Sequence, residues 1–258
     1  MQNKIYTLLF GLLTVSLPVI ADTIPSGFSQ VLKWRVGAEV APAYVPNTNG
    51  FLKGNNPDNK TIHGKLSGSI HGDFSFNPAT REGMLYKGLY QGVGVGVNAF
   101  FANRLFGMPV SAYVYQGAPI IHFNDRLWLG YEWQFGAAFG WKYFNEETAE
   151  NNVAVSTPVT AYMGLSLKLH YKLTDRWQMA FGIDAKHYSN GNTSWPNAGV
   201  NSIGASIGLA YILNPQNDIH AASRELQKEA DCGEWLYDIT AFGAWHKQIV
   251  NVGDPAEA

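Results

Sequence analysis

From about residue 33 onward, apolar and polar side chains alternate along the chain in eight successive segments. Alternation predicts β-strands, because neighbouring side chains on a strand point to opposite faces of the sheet. The segments cover residues 33–45, 65–77, 87–101, 108–116, 126–141, 157–173, 176–188 and 200–213. Eight strands are enough to close a small β-barrel whose interior is filled with side chains. We therefore expect an all-β fold built as one antiparallel β-barrel.

The balance of residue types predicts that this barrel lies in a membrane. Charged residues make up 15% of the chain, against roughly 25% in ordinary soluble domains. Aromatic residues make up 14% and glycines number 27, which is typical of strands with apolar side chains facing lipid and small or polar ones facing a lumen. Past Ile20, no apolar stretch reaches the roughly 20 residues that a helical span requires. The predicted class is a transmembrane β-barrel of the bacterial outer membrane, with aromatic side chains at the membrane interfaces. The tryptophans expected there are Trp128, Trp133, Trp141, Trp177 and Trp195.

The two ends of the chain differ from the barrel segments. Lys4 precedes an apolar run that ends in Val19-Ile20-Ala21, a pattern that predicts an export signal over residues 1–21. A retained membrane anchor is the alternative, although the run is short for a span. The barrel is then expected over residues 22–213. Residues 214–258 are interpreted as a C-terminal extension of unknown role, either a periplasmic appendage or the start of further sequence.

Charge, cysteine and histidine content exclude several classes of function. The formal net charge of -2 offers no basic surface for nucleic acid. A single cysteine, Cys232, cannot form an internal disulfide. The histidines His71, His170, His220 and His246 are scattered without the spacing of metal ligands. We expect neither a metal nor an organic cofactor.

Loop lengths predict how the barrel is oriented. If the N-terminus lies in the periplasm, connections after odd-numbered strands face outward and are the longer ones. Three of these four are long, roughly 46–64, 142–156 and 189–199, whereas residues 174–176 form a tight turn. The last long connection is therefore expected at the outer rim of the barrel, level with the outer leaflet.

Candidate chemistry lies at that rim, in His187-Tyr188-Ser189-Asn190-Gly191 and in Pro196-Asn197-Ala198-Gly199-Val200-Asn201. His187 and Ser189 share the apolar face of the seventh segment, because they stand two residues apart on an extended strand. Asn201 shares the apolar face of the eighth. A base and a hydroxyl on a face turned toward lipid suit an enzyme whose substrate is a membrane lipid.

These two motifs resemble the signature of the outer-membrane lipid A 3-O-deacylase family, also called PagL-like acyloxyacyl hydrolases. The resemblance is specific from about residue 160 to residue 213, and follows only the general pattern in earlier strands. It implies that Ser189 is the nucleophile and His187 its general base, with Asn190 and Asn197 at polar positions of the site. Where the founding members carry a glutamate that orients the histidine, this chain has Asn201.

The resemblance implies a serine esterase that removes an acyl chain from the 3 position of lipid A, the lipid of lipopolysaccharide. Candidate oxyanion donors are the amides of Asn190 and Asn197 and backbone N–H groups around Gly191. Two other functions remain open on the sequence: a non-catalytic barrel with a structural or small-solute channel role, and a phospholipase that uses the same groups. The sequence also leaves open whether the barrel is a monomer or a homodimer.

Overall fold

The computed structural model describes residues 31–145 and 152–215. Eight antiparallel strands close into a barrel in chain order, with β1 paired to β8. The strands are β1 Leu32–Tyr44, β2 Gly64–Phe76, β3 Tyr90–Phe100, β4 Gly107–Asn124, β5 Leu127–Trp141, β6 Val159–Lys172, β7 Trp177–Ser189 and β8 Val200–Ile212. Two short helices stand in the connections, α1 Arg81–Tyr86 and α2 Asn103–Phe106. The predicted eight-strand barrel is confirmed. The expected export signal and most of the C-terminal extension lie outside the described residues.

Two strand boundaries differ from the sequence expectation. β4 continues to Asn124 instead of ending near residue 116, with register irregularities opposite β5 after Pro119 and His122. Such irregularities are where a sheet tolerates a proline, which cannot donate to the ladder. β3 begins at Tyr90 instead of residue 87, because Lys87 and Gly88 have positive φ and form the end of α1. The Thr80 hydroxyl accepts from the Gly83 N–H at the start of α1.

The faces of the barrel are inverted relative to a soluble protein. Large apolar side chains are exposed on the outside, among them Ile70, Val93, Leu165 and Ile183, which suits a surface solvated by lipid. Charged side chains are buried inside. No helix among the described residues is long and apolar enough to cross a membrane.

Ion pairs and hydrogen bonds fill the lumen. Lys168 Nζ lies 2.7 Å from Glu39 Oε2 and 2.9 Å from Glu132 Oε1. Arg35 Nε lies 2.7 Å from Asp73 Oδ1. Two cavities in the lumen have volumes of about 30 and 10 Å³, where roughly 10–15 Å³ holds one water molecule. The lumen is therefore a packed polar core.

The barrel has a loop end and a turn end. The loop end carries four connections that we call L1 (45–63), L2 (101–106), L3 (142–158) and L4 (190–199). L1, L2 and L3 contribute to an apolar cluster that caps the lumen at this end. The cluster contains Val45, Phe51, Leu52, Ile62, Phe100, Phe106, Trp141, Ala154, Val155, Tyr162, Tyr188 and Val200.

Two of the five tryptophans expected at the membrane interfaces lie inside instead. Trp141 is 4% exposed within the apolar cluster, and its indole N–H donates to Thr160 Oγ1 at 3.0 Å. Trp128 stacks on His170, with ring centroids 5.2 Å apart. The positive φ of Gly140, next to Trp141, interrupts the regular alternation, so strand parity no longer reports the face. Trp195, in contrast, is exposed in L4.

At the turn end, the connection that carries α1 joins β2 to β3, and two short turns, 125–126 and 173–176, join the other strand pairs. The hydrogen bond from Lys172 holds the pKa of the exposed Asp175 carboxyl below its usual range, so this contact is lost as the pH falls through that lowered pKa.

Asn214 joins the first and last strands, because its side chain accepts from the Trp34 N–H at 2.8 Å and donates to the Leu32 carbonyl at 2.7 Å.

Candidate active site

His187, Ser189 and Asn201 lie together on the outside of the barrel at its loop end. β7 and β8 pair so that His187 stands directly opposite Asn201. Ser189 is the last residue of β7, two positions beyond His187 on the same face. The side chains below them on this face, such as Ile183 and Ile203, are exposed. The alternation read from the sequence therefore agrees with the placement of all three candidate residues.

The imidazole of His187 is held by the Asn201 side chain. The distance from His187 Nδ1 to Asn201 Oδ1 is 2.7 Å. An amide oxygen can only accept a hydrogen bond, so Nδ1 carries the ring hydrogen and Nε2 keeps its lone pair. This arrangement orients the ring and leaves Nε2 as the basic nitrogen, which is the tautomer that a general base requires.

Ser189 Oγ accepts a hydrogen bond from the Gly191 N–H at 3.2 Å. A direct bond between Ser189 and His187 is not among the hydrogen bonds of the described residues. Catalytic hydrogen bonds are often loose without substrate and tighten only in the complex. The shared face and the two-residue spacing make the hydroxyl and the imidazole neighbours along the strand, with backbones about 6–7 Å apart.

Asn190 organises L4 through its side chain. Its Nδ2 donates to Ser156 Oγ and to the Ser194 carbonyl, each at 2.8 Å, and its Oδ1 accepts from the Asn192 N–H at 2.9 Å. Both amide hydrogens of Asn190 are therefore already used within the protein. Among the predicted side-chain donors, this favours Asn197 for contact with substrate, whereas the Gly191 N–H is bonded to Ser189 Oγ.

Asn197 lies across L4 from Asn190. Its Oδ1 accepts from the Asn190 N–H at 3.2 Å, and its Nδ2 donates to Asn192 Oδ1 at 3.1 Å. An amide nitrogen carries two hydrogens. One of them is therefore available to a ligand beside Ser189.

Gly199 forms a wall against the imidazole. Its φ is +69°, and a Cβ built on it would lie 3.2 Å from His187 Cε1 and 3.6 Å from Ser189 Cβ. Its N–H donates to the Ala154 carbonyl at 3.0 Å, and its carbonyl accepts from Asn49 Nδ2 at 3.4 Å. Hydrogen bonds to L1 and L3 hold the Gly199 backbone in place. Gly199 therefore bounds one side of the space between His187 and Ser189, and its lack of a side chain keeps that space open.

Tyr188 anchors the strand between the two candidate catalytic residues. Its side chain points into the barrel and is fully buried. The hydroxyl accepts from Lys65 Nζ at 2.7 Å and donates to Asn98 Oδ1 at 2.8 Å. The sequence motif contains Tyr188 but predicts no role for it. The alternation did place it on the inner face, but its partners on β2 and β3 were not predictable from the motif.

Among the described residues, no group of three or more histidine, cysteine or acidic side chains is arranged to hold a metal ion. Of the four histidines that the sequence analysis set aside, His71 and His170 lie in the lumen, beside its larger cavity. His220 and His246 lie outside the described residues.

Comparison with known proteins identifies the family. A family model described as lipid A 3-O-deacylase (PagL) matches residues 73–210, which is 138 of the 258 residues and includes every candidate site residue. Comparison with curated proteins finds no match.

Two solved structures resemble the chain at low sequence identity. Neisserial surface protein A (NspA) is 12% identical with a TM-score of 0.44, covering 69% of this chain and 96% of that one. The outer membrane enzyme PagL is 14% identical with a TM-score of 0.43, covering 67% of this chain and 97% of that one. On the family-model match, the chain belongs to the lipid A 3-O-deacylase (PagL) family and is an outer-membrane β-barrel of that family.

Proposed function

We propose that the protein hydrolyses the acyl ester at the 3 position of lipid A and releases a 3-hydroxy fatty acid. Ser189 is the nucleophile, His187 the general base, and Asn201 the residue that orients the base. The observation that carries this proposal is the 2.7 Å hydrogen bond from His187 Nδ1 to Asn201 Oδ1, on the lipid-facing side of the wall and beside Ser189.

The reaction proceeds in two halves. Nε2 of His187 takes the proton of Ser189 as Oγ attacks the ester carbonyl carbon. The bond from that carbon to the sugar oxygen then breaks, and the imidazolium returns its proton to the sugar oxygen. Water, deprotonated by His187, attacks the acyl-enzyme, and the fatty acid leaves as Ser189 regains its proton.

Hydrogen-bond donors in L4 stabilise the charge that develops on the carbonyl oxygen. The Gly191 N–H, which donates to Ser189 Oγ at 3.2 Å in the free protein, is the first donor and turns from the hydroxyl to the oxyanion once Oγ is bonded to the carbonyl carbon. The uncommitted hydrogen of Asn197 Nδ2 is the second donor. Removing one such donor typically costs about 10²–10³ in kcat.

The acyl chains of the substrate lie against the outer wall. Phe181, Ile183, Ile203 and Ile207 are exposed on β7 and β8 below the site. A lipid in the surrounding leaflet reaches Ser189 along this surface without entering the barrel. This requires the loop end to face the outer leaflet, where lipid A resides.

Two rival functions differ from the proposal in testable ways. A channel needs an open lumen, and the ion pairs and small cavities inside this barrel argue against one. A phospholipase would use the same three side chains, and the family match favours lipid A over glycerophospholipid.

The experiment is to incubate the detergent-purified protein with lipid A, and separately with phospholipid, and to weigh the products by mass spectrometry. We expect lipid A to lose the mass of one hydroxyacyl chain and phospholipid to stay intact. Ser189→Ala is expected to lower the rate by at least about 10³, as loss of a serine nucleophile does. An unchanged lipid A spectrum, or Ser189→Ala with parental activity, would refute the proposal.

A further inference from the structure

L3 and L4 are joined by a set of contacts that sequence reasoning did not anticipate. At the base of L4, the Ala198 N–H donates to the Val153 carbonyl at 3.1 Å and the Gly199 N–H to the Ala154 carbonyl at 3.0 Å. At its tip, Ser156 Oγ donates to the Ser194 carbonyl at 3.0 Å. One short segment of L3 therefore supports both sides of L4.

This segment of L3 is itself held rigidly. The Oδ1 of Asn152 accepts from the N–H groups of Ala154 and Val155 at 3.1 and 3.3 Å, and its Nδ2 donates to the Lys142 carbonyl at 2.7 Å. Ala154 and Val155 are fully buried in the apolar cluster. L3 can therefore fix the geometry of a neighbouring loop that is largely exposed.

Ser156 links the supported segment of L3 to Asn190, the neighbour of Ser189. It is 9% exposed, and its hydroxyl also accepts from Asn190 Nδ2 at 2.8 Å. Asn190 lies between Ser189 and Gly191 in the chain, and its own N–H is bonded to Asn197. A displacement of Asn190 would therefore move both proposed oxyanion donors relative to Ser189 Oγ.

We infer that Ser156 is a positioning residue for the esterase reaction, acting through Asn190 on the oxyanion donors of L4. The hydroxyl uses its single hydrogen on the Ser194 carbonyl and a lone pair on Asn190 Nδ2, and Asn190 Nδ2 also donates to the Ser194 carbonyl, so the three residues form one closed network. This inference rests on the proposed function, because it concerns the same nucleophile.

The test compares Ser156→Ala with Thr157→Ala in the full-length protein. Thr157 is the matched control, because it is the next residue of L3 but its exposed hydroxyl bonds only to the Val159 carbonyl, at 2.6 Å, away from L4. We expect Ser156→Ala to lower kcat on lipid A by about 10- to 100-fold with KM within twofold, as small misplacements of catalytic groups do. Thr157→Ala should keep both constants within twofold.

Two further measurements separate positioning from mere folding. The rate at which an alkyl fluorophosphonate labels Ser189 should fall in Ser156→Ala, since phosphonylation builds negative charge in the same donor site. Gel mobility before and after heating should show the same folded barrel for all variants. Ser156→Thr, which retains the hydroxyl, should recover most of the lost kcat.

Asn190→Ala completes a double-mutant cycle with Ser156→Ala. Because both act through one contact, the double variant should be no slower than the slower single variant. Parental kcat in Ser156→Ala, or losses that multiply in the double variant, would overturn the inference. If Ser189→Ala retained activity, the proposed function itself would fail. An inactive Ser189→Ala beside a fully active Ser156→Ala would refute the positioning role alone.

Discussion

Asn201 gives the proposed base a neutral partner where the family resemblance implies a carboxylate. A hydrogen bond to an ionised group is roughly twice as strong as one between neutral groups. We predict that Asn201→Asp raises kcat on lipid A by about tenfold, because the carboxylate keeps the 2.7 Å geometry and stabilises the developing imidazolium by about 1.4 kcal/mol more.

Asn201→Leu is the opposing variant and should lower kcat by about 10²-fold, since the ring loses its orienting acceptor. Release of 3-hydroxy fatty acid, followed by mass spectrometry over time, measures all three proteins. Equal rates for Asn201→Leu and the parent would show that Asn201 does not orient His187.

Gly199 makes a second prediction about the same imidazole. Gly199→Ala should lower kcat by about 10- to 100-fold, because the new methyl group would press on His187 Cε1 from 3.2 Å and turn the ring away from Asn201. Gly140→Ala is the control, because Gly140 also has a positive φ, +83°, but nothing lies within 4 Å of the added Cβ.

Both substitutions place alanine in the left-handed region, which costs about 1–2 kcal/mol. Both free energies of unfolding should therefore fall by at least this amount, with the larger fall in Gly199→Ala, whose Cβ also lies 3.2 Å from the Tyr188 carbonyl, and only Gly199→Ala should lose activity. A similar loss of kcat in both variants would mean that backbone strain, and not contact with the ring, is responsible.

At the scale of strands and loops, the alternation of apolar and polar residues predicted where the strands lie and which face of the sheet a side chain is on. It located all eight strands and the outward side of His187, Ser189 and Asn201. It missed the last eight of the 18 residues of β4, where Gly117 and Pro119 resemble a turn although the strand continues through an irregularity. It also missed Ser156, because the contact between L3 and L4 joins residues 34 apart in the chain and leaves no local pattern.

The polar lumen of the strands carries a prediction about stability. Lys168→Met should lower the free energy of unfolding by about 3–5 kcal/mol, because it leaves the buried carboxylates of Glu39 and Glu132 without their shared cation. Lys172→Met is the control and should leave the free energy of unfolding close to that of the parent, since its partner Asp175 is exposed to solvent.

Urea unfolding from lipid vesicles, followed by tryptophan fluorescence, measures both values. Activity per folded molecule should be unchanged in Lys168→Met, because the barrel wall separates this lysine from the active site. Equal stability of the two lysine variants would contradict a structural role for the lumenal ion pairs.

For the molecule as a whole, the filled interior predicts that solutes do not pass. The larger cavity, of about 30 Å³, is bounded by charged and aromatic side chains that bond one another. Reconstituted into planar bilayers, the protein should give no stable conductance steps above the bare membrane. A reproducible open state would show that the lumen rearranges, and would support the channel function left open by the sequence.

The apolar cluster at the loop end could not be predicted from the sequence, because L1 and L3 contribute side chains from connections that show no alternation. Phe51, Leu52 and Val155 stand in apolar stretches of only two or three residues, too short to show a periodicity. Their burial depends on three connections, L1, L2 and L3, meeting at one end of a closed barrel, which is a property of the tertiary structure. This cluster supports the rigid segment of L3 and so sets the frame of the active site.

The wall of the barrel has one further consequence, which concerns redesign. Every proposed reacting group lies on its outer surface, while the paired charges that hold the strands together lie on its inner surface. Heat tolerance could thus be engineered by exchanging side chains on the inner surface of the barrel wall. Acyl-chain preference could be altered by substitutions on the outer surface, and the two sets of substitutions could be designed independently.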